Sequence, residues 1–413
     1  MNRYIVILLI ALIFVLLDWY TYRFLKGYIV RYSGKARKII IWIFWALVLI
    51  TLAGFLLILA GFPILISLAQ RQFILVVIFA NYFGKILALL FLIPDDLRQS
   101  IIRLKMKFSR KKQLAGKPIP RSEFLSRAAL ITAALPAASM SFGIISGAHD
   151  YKIRHKSIVL PNLPSSFDGF RIGQLSDIHS GSFFNKTAVK GGVELLMNQK
   201  ADAIFFTGDL VNEQTSEVKD YIDVFNKVKA PYGVFSTLGN HDYGDYRKWP
   251  SVQAKMKNLE DMLEAHRLLG WDLLMNENRI LGKEGESLAI IGIENWGTGR
   301  FPKYGKMDEA YIGSEDSPVK LLLSHDPSHW DAEIRQNYKD IDLMFAGHTH
   351  GFQFGVEIGG FKWSPSQYVY KQWADLYEAE EQKLYVNRGF GFIGFPGRIG
   401  IAPEITIFEL KKA

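Results

Sequence analysis

Residues 170–179, FRIGQLSDIH, run from an apolar, strand-like segment directly into Asp177 and His179. Further strand-like segments follow along the chain, and several of them also end at polar clusters. The strand-like segments are 170–175, 203–206, 234–238, 288–293, 319–323, 343–346, 383–386 and 404–410. Helix-like stretches at 186–198 and 252–269 lie between the early segments. This pattern predicts an α/β fold for the later part of the chain.

Five polar clusters stand at the ends of predicted strands, which is where α/β sheets place their functional sites. They are Asp177-Ile178-His179, Gly208-Asp209, Gly239-Asn240-His241-Asp242, Ser324-His325-Asp326 and Gly347-His348-Thr349-His350. A lone aspartate or histidine at a strand end is usually a capping or core residue, but five such clusters indicate one shared site. In Asp177-x-His179 and His348-x-His350 the paired side chains share one face of an extended segment.

The side chains of these clusters predict a site for two divalent metal ions. Two ions about 3.5–4 Å apart need roughly seven to eight ligands, with one carboxylate bridging them. The candidate ligands are Asp177, His179, Asp209, Asn240, His325, His348 and His350. Oxygen and imidazole ligands suit Mn, Fe or Zn. The chain has no cysteine, which excludes thiolate metal sites and a cysteine nucleophile.

In this order the five clusters resemble the blocks of the calcineurin-like metallophosphoesterase family, over roughly residues 155 to 410. The resemblance implies a four-layer α/β/β/α sandwich built on two mixed sheets. It also implies that one metal is held by Asp177, His179 and His350, a second by Asn240, His325 and His348, and that Asp209 bridges them. His241 is then the catalytic imidazole over the phosphate, and Asp242 orients it.

Two further segments resemble membrane-associated members of this family that carry a twin-arginine-like leader. They are YVNRGFG at 385–391 and GFQ at 351–353, where such members usually have Gly-Gly-Gln. Phe352 therefore changes the expected shape of the entrance to the substrate site, but it does not replace any metal ligand. Arg388 is a candidate contact to the substrate phosphate, with support of a turn as the alternative. The leader itself is Arg121-Ser122-Glu123-Phe124-Leu125, which lacks the second arginine.

The ligand set predicts hydrolysis of a phosphomonoester, a phosphodiester or a pyrophosphate bond by a water that the two metal ions activate. The metals, with Asn240 and His241 near the phosphoryl oxygens, neutralise charge that develops in the transition state. His241, or a water molecule at the metals, protonates the leaving oxygen. No covalent enzyme intermediate is needed. A lipid or lipid-linked phosphate is a candidate substrate, because the sequence also predicts a membrane anchor.

The chain carries 49 Lys and Arg against 40 Asp and Glu, which gives a formal charge of +9 over 413 residues. The basic excess is concentrated between apolar runs in the first 130 residues, as in the cytoplasmic loops of membrane proteins. No later stretch interleaves basic and aromatic residues as a nucleic-acid site would. The charge pattern therefore predicts a membrane as partner and no nucleic acid, and it leaves the oligomeric state open.

Four apolar runs predict membrane helices, at 4–17, 39–61, 73–93 and 128–145. The last of these is the weakest, because it contains Pro136 and small residues, and Ser146-Gly147-Ala148 after it resembles a cleavage site. We expect a transmembrane region at 1–148 and a metallophosphoesterase domain at 149–413.

The loops between these runs predict the topology. Basic residues crowd the loops at 19–38 and 94–127, which the positive-inside rule places in the cytoplasm. If the fourth run crosses the membrane, the domain after it lies on the outer side of the cytoplasmic membrane. If the run is an interfacial or core helix, the domain stays in the cytoplasm.

Three alternative functions each account for part of the sequence. A dimetal amidohydrolase begins with His-x-His on its first strand, whereas here Asp177-x-His179 comes first and His348-x-His350 comes last. A membrane-bound metal-binding sensor or interaction protein with a non-catalytic phosphoesterase domain usually lacks ligands, and none of the expected ligands is missing. A transporter formed by the amino-terminal helices would need more intramembrane charges than this region has.

Overall fold

The computed structural model describes residues 3–59, 68–108, 122–299 and 301–413. The chain forms two compact units, Met1–Phe142 and Gly143–Ala413. Several predicted features lie outside the described residues. They are residues 60 and 61 of the second predicted span, the basic residues between 110 and 117, and Arg121 of the predicted leader. The boundary at residue 148 between the two predicted domains stays a prediction.

In the described part of the amino-terminal region there are four long helices. They are α1 Arg3–Tyr28, α2 Gly34–Leu59, α3 Leu68–Phe108 and α4 Glu123–Ile145. Each contains a segment long and apolar enough to cross a membrane, so the prediction of an amino-terminal region with four apolar helices is confirmed. The helix α4 has 23 residues, or about 35 Å at 1.5 Å per residue. It therefore exceeds the ~30 Å of a hydrocarbon core.

Polar side chains in these helices pair with one another. The Nζ atom of Lys85 in α3 lies 2.5 Å from Oδ1 of Asp18 in α1, and the Tyr82 hydroxyl donates to the same carboxylate at 3.1 Å. Asn81 donates to Oγ1 of Thr51 in α2 at 3.3 Å. These contacts satisfy groups that are costly in hydrocarbon, and they link α3 to both preceding helices.

The second unit alternates strands with shorter helices. Its strands are β1 Lys152–Leu160, β2 Arg171–Leu175, β3 Ala203–Thr207, β4 Val234–Thr237, β5 Asp272–Leu273, β6 Glu277–Lys283, β7 Glu286–Gly292, β8 Lys320–Leu323, β9 Leu343–Ala346, β10 Val356–Ile358, β11 Phe361–Trp363, β12 Asp375–Ala379, β13 Gln382–Val386 and β14 Glu404–Lys412. Its helices are α5 Lys186–Met197, α6 Ile222–Phe225, α7 Val252–Leu269, α8 Met307–Tyr311 and α9 Arg335–Asn337, and a π-helical turn, Trp330–Ile334, precedes α9.

Two mixed sheets form the centre of this unit within the described residues. One has the strand order β1-β14-β2-β3-β4-β5 and the other β12-β13-β9-β8-β7-β6, and β10 and β11 form a separate hairpin. In the first sheet β2, β3 and β4 run parallel, while β14 is antiparallel to β2. In the second sheet β7, β8 and β9 run parallel, and β6 is antiparallel to β7.

Apolar side chains fill the space between the sheets and cover their outer faces. Between the sheets, the ring of Phe345 packs edge-on against Phe205 and Phe408. Residues of α5 and α7 pack on the outer face of the first sheet. Trp330 of the π-helical turn packs on the outer face of the second. The layers therefore follow the order α/β/β/α, which confirms the predicted fold class.

The parallel strands bring the segments that follow them close together. Thr207 at the end of β3 pairs with Thr237 at the end of β4. In the second sheet, Leu323 at the end of β8 pairs with Phe345, one residue before the end of β9. The loops after β2, β3, β4, β8 and β9 carry the five polar clusters, so the fold delivers all five from strand ends.

Candidate metal centre

The loops that carry the predicted ligands bend sharply at the ligands themselves. Five of the seven have a positive φ, namely Asp177, His179, Asp209, His348 and His350. Residues with a Cβ seldom adopt this left-handed region, and such strain is concentrated at functional sites. The surrounding fold therefore holds these backbones in conformations that the isolated loops would avoid.

Two glycines let the loops approach one another closely. A Cβ atom at Gly239 would lie 2.2 Å from Oδ1 of Asp209, and one at Gly347 would lie 2.2 Å from Oδ2 of Asp177. Neither position has room for a side chain. The glycines of the Gly-Asn-His-Asp and Gly-His-x-His patterns are therefore needed because each packs against a predicted ligand.

Asp177, His179 and His350 form the first group of potential metal ligands, and all three are buried. The Nε2 atoms of His179 and His350 are 3.0 Å apart, and Nε2 of His350 is 3.2 Å from Oδ1 of Asp177. Nδ1 of His179 lies 3.2 Å from the backbone oxygen of Val211. Because a carbonyl oxygen only accepts, this contact assigns a proton to Nδ1 and turns Nε2 toward the group.

Asp209, His325 and His348 form the second group, and the amide oxygen of Asn240 joins it. Nε2 of His325 is 3.3 Å from Nδ1 of His348, and Oδ1 of Asn240 is 2.8 Å from the same Nδ1. Nδ1 of His325 faces the backbone oxygen of Thr207 at 2.7 Å. Its Nε2 is therefore the nitrogen that points into the group.

Asp209 lies between the two groups. Its Oδ2 atom is 3.1 Å from Nε2 of His325 and 3.5 Å from Nε2 of His179. Its Oδ1 atom accepts from the backbone amide of His241 at 2.9 Å, which fixes the orientation of the carboxylate. One oxygen of Asp209 is thus shared by imidazoles from both groups.

Burial and the close packing of carboxylates and imidazoles shift the pKa values of these side chains. Burial opposes ionisation of Asp209, but the neighbouring His325 and His241 hold its pKa well below the usual range. Burial also opposes a charge on His325, yet the carboxylates of Asp209 and Asp177 raise its pKa to about 10. Burial lowers the pKa of His348 to about 4. The site therefore holds buried carboxylate anions that attract positive charge. A metal ion must displace a proton from His325 before that imidazole can act as a ligand.

The residues present fit two divalent ions. In each group the potential ligand atoms lie within 4.8 Å of one another, and the carboxylate of Asp209 belongs geometrically to both. The carboxylate, amide and imidazole donors are those that suit Mn, Fe or Zn. All seven predicted ligands are brought together, in the division that the family resemblance implies. The role of each residue as a ligand stays a prediction.

His241 and Asp242 are arranged differently from the expectation. The carboxylate of Asp242 is buried and accepts from the backbone amides of Asp209, Leu210, Val211 and Gly239 at 2.8–3.2 Å. His241 is instead held by Asn212, whose backbone oxygen lies 2.7 Å from Nδ1. The expectation that Asp242 orients His241 is therefore wrong, because its oxygens are engaged in clamping the loop that carries Asp209. A catalytic role for His241 stays a prediction.

Arg388 is 1% exposed and faces carboxylates with all three of its guanidinium nitrogens. Nη1 lies 2.7 Å from Glu404, Nη2 lies 2.6 Å from Glu357, and Nε donates to Glu357 at 2.8 Å. This network favours the structural alternative for Arg388. Its contact with a substrate phosphate stays a prediction.

Three side chains around the groups had no signal in the sequence. The Tyr370 hydroxyl lies 2.9 Å from Nε2 of His348. The Asn240 amide donates to the Tyr246 hydroxyl at 2.9 Å, which turns the amide oxygen toward His348. Nη2 of Arg398 lies 3.2 Å from Nδ1 of His350. Each holds a predicted ligand in place from outside the five sequence clusters.

Two known families match separate parts of the chain. Residues 2–148 match the family described as Probable Calcineurin-like phosphoesterase, transmembrane domain, and residues 170–352 match Calcineurin-like phosphoesterase. The first match assigns all of residues 2–148 to a transmembrane domain, so it gives no support to a twin-arginine leader at 121–125.

Relatives from bacteria and from a fish are similar to the greater part of this chain. The Uncharacterized metallophosphoesterase YkuE of Bacillus subtilis is 30% identical over 254 residues, which are 60% of this chain and 82% of the relative. A Danio rerio protein named Transmembrane protein with metallophosphoesterase domain is 28% identical over 294 residues, 69% of this chain and 62% of the relative. Phosphodiesterase YaeI of Escherichia coli is 27% identical over 299 residues, 71% of this chain and 99% of the relative. With the apolar helices and the potential metal ligands that its described residues contain, this membrane protein belongs to the calcineurin-like metallophosphoesterase family.

Proposed function

We propose that this chain hydrolyses a phosphodiester bond with two divalent metal ions held by the two groups. The observation that carries the proposal is the position of Asp209, whose Oδ2 lies within 3.5 Å of both His179 and His325. A carboxylate shared by two ligand groups is the arrangement that a two-metal site requires. The relative named Phosphodiesterase YaeI supports the diester as the preferred bond.

The chain's own residues divide the work between holding metals and handling the substrate. Asp177, His179 and His350 would hold one ion, and Asn240, His325 and His348 would hold the other, with Asp209 shared between the two groups. When bound, two divalent ions lower the pKa of a water to make it a nucleophile and neutralise charge on the phosphoryl oxygens. Arg398, Tyr246 and Tyr370 keep the ligands oriented, because each contacts a ligand on its outer side.

His241 is the group that delivers a proton to the leaving oxygen. Its ring is partly exposed and lies 5.0 Å from the ring of His179, measured between centroids. Its Nδ1 proton is committed to the oxygen of Asn212, so proton transfer takes place at Nε2. A positioned general acid of this kind contributes about 10²–10⁴-fold to the rate.

The substrate class follows from the membrane anchor. Among the residues that the structure describes, four helices are long and apolar enough to span a bilayer. A lipid or lipid-linked phosphate is therefore the substrate that a tethered site meets at the highest local concentration. The length of α4 and the basic loops before it favour a domain on the outer side of the cytoplasmic membrane. Such a site would act on exported or outer-leaflet phosphates.

A turnover screen tests the proposal. Purified full-length protein in lipid nanodiscs, loaded with Mn²⁺, is assayed against p-nitrophenyl phosphate, bis-p-nitrophenyl phosphate, pyrophosphate and glycerophospholipids. We expect the diester to be cleaved faster than the monoester and a lipid phosphodiester faster than either, with the Asp209→Asn variant as the inactive control. Two bound metals without turnover of any phosphoester would instead support a metal-binding sensor or interaction protein.

A further inference from the structure

The hairpin of β10 and β11 has an inverted distribution of polar and apolar side chains. Its register pairs Val356 with Trp363, Glu357 with Lys362, and Ile358 with Phe361. The two turn residues between the strands, Gly359 and Gly360, both have positive φ, as a tight two-residue turn requires. Successive side chains alternate between faces, so the two charged residues share one face and the four apolar residues share the other.

The charged face of the hairpin points into the domain. Glu357 pairs with the buried Arg388 at 2.6 Å and also with Arg154. Lys362 donates to the backbone oxygen of Ala374 at 2.7 Å. A hairpin on the surface of a water-soluble domain normally buries its apolar face and exposes its polar one. Here the interior holds the charges, so the apolar face is directed outward.

The outward face is strongly exposed. Ile358 is 73% exposed and Phe361 is 63% exposed, and neighbouring side chains extend the same surface. We call this the apolar hairpin surface. It consists of the exposed side chains Phe352, Phe354, Val356, Ile358, Phe361, Tyr368 and Val369 together with the half-buried Trp363. Ring contacts join its members, because Phe354 lies 6.4 Å from Trp363 between centroids. A connected apolar patch of this kind marks an interaction site, whereas single exposed apolar residues need no explanation.

The apolar hairpin surface is connected by hydrogen bonds to the end of a membrane-capable helix. Gly143, in the last turn of α4, accepts from the backbone amide of Arg398 at 3.1 Å. The next residue, Ile399, donates to the oxygen of Gln353 at 2.7 Å and accepts from Gly355 at 2.9 Å. Gly355 directly precedes β10. The segment that exposes the apolar residues is therefore attached to the residues that end the fourth candidate span, Glu123–His149.

We propose that the apolar hairpin surface inserts into the interfacial region of the bilayer in which the chain is anchored. Aromatic residues with aliphatic neighbours are the side chains that partition to this region, and the surface contains Phe, Tyr and Trp together with Val and Ile. Because Phe352 follows His350 by two residues, this contact holds the ligand loop after β9 at the lipid surface. The inference concerns membrane contact and does not depend on which phosphoester is cleaved.

Site-directed spin labelling of the full-length chain in nanodiscs tests this proposal. The sequence has no cysteine, so Ile358→Cys gives a single labelling site on the apolar hairpin surface. Ile312→Cys is the matched control, because Ile312 is the same residue type and is 71% exposed outside this surface. Accessibility to oxygen and to a water-soluble nickel chelate reports the depth of each label. We expect the label at 358 to lie about 5–10 Å into the headgroup and acyl boundary and the label at 312 to lie in water.

The alternatives give different results. A label at 358 that is as accessible to nickel as the label at 312 would overturn the proposal. A label at 358 that nickel cannot reach, and whose spectrum is broadened by spin–spin coupling equally in nanodiscs and in detergent, would show that a second copy of the chain covers the surface. That result would also overturn the proposal. Protection that appears only after a lipid phosphoester is added would assign the surface to substrate. Both positions are exposed, so neither label disturbs the core, and a second label at Val369→Cys should repeat the result at 358.

Discussion

Replacing His241 with alanine separates proton transfer from metal binding. The backbone amide of His241 donates to Asp209 at 2.9 Å, and this contact survives the substitution because it involves no side-chain atom. The ring itself belongs to neither group of potential ligands. We therefore expect His241→Ala to retain both metal ions while turnover falls by about 10²–10⁴-fold, which corresponds to roughly 2.7–5.4 kcal/mol of transition-state stabilisation.

The dependence on the leaving group makes this prediction specific. A general acid matters most when the departing oxygen is a strong base, so the loss should be large for an alkyl ester and small for p-nitrophenolate. The assay measures kcat for methyl p-nitrophenyl phosphate analogues and kcat for alkyl diesters, both with the wild type and with His241→Ala. The metal content of the same samples is measured alongside. An equal loss for both leaving groups, or loss of the metals, would refute the assignment of His241 as the proton donor.

The remaining predictions concern the ligand support, the buried ion pair and the topology. Tyr370→Phe removes the hydroxyl that lies 2.9 Å from His348, so a chelator competition should show metal binding weakened by about 10–100-fold. The control Tyr368→Phe, at an exposed tyrosine, should leave metal binding unchanged. Arg388→Ala removes the closer of the two guanidinium groups that pair with the buried Glu404 and leaves Arg154 at 3.1 Å. It should cost roughly 3 kcal/mol in thermal unfolding, the lower end of the range for a broken buried pair. Arg335→Ala at a partly exposed pair should cost about 0–1 kcal/mol, and equal losses would contradict the structural role. Protease added to intact spheroplasts should digest the domain after α4, and protection until the membrane is broken would place it in the cytoplasm.

Much of the fold was predictable because buried parallel strands form short continuous apolar runs. The run at 343–346 coincides with β9, and the helix-like stretch at 252–269 coincides with α7. Edge elements were not predictable in this way. The strand β1 reads KIRHKSIVL, lies at the edge of its sheet and buries only two of its nine residues, Ile158 and Leu160, so it lacks an apolar run. Its pairing with β14 joins residues some 250 positions apart, as in Lys152 with Glu404, and no local pattern encodes that pairing.

The candidate ligands were predictable because each lies in a short cluster whose spacing is visible in the sequence. The contacts that support these ligands were not predictable from the sequence. Asn212 holds His241 through a backbone oxygen, and a backbone oxygen has no side-chain signature. The motif suggested that Asp242 orients the adjacent His241, but four backbone amides occupy that carboxylate. Adjacency in sequence therefore predicted membership of the site and failed to predict which groups are in contact.

Metal titration of the full-length protein tests the two-metal account most directly. Protein stripped with a chelator in nanodiscs is titrated with Mn²⁺ while bound metal and hydrolysis of bis-p-nitrophenyl phosphate are measured together. We expect activity to rise to its maximum at two ions per chain, and Asp209→Asn to lose both occupancy and turnover because it removes the shared carboxylate. Full activity with one ion or none, or near-normal turnover with two ions in Asp209→Asn, would contradict the account.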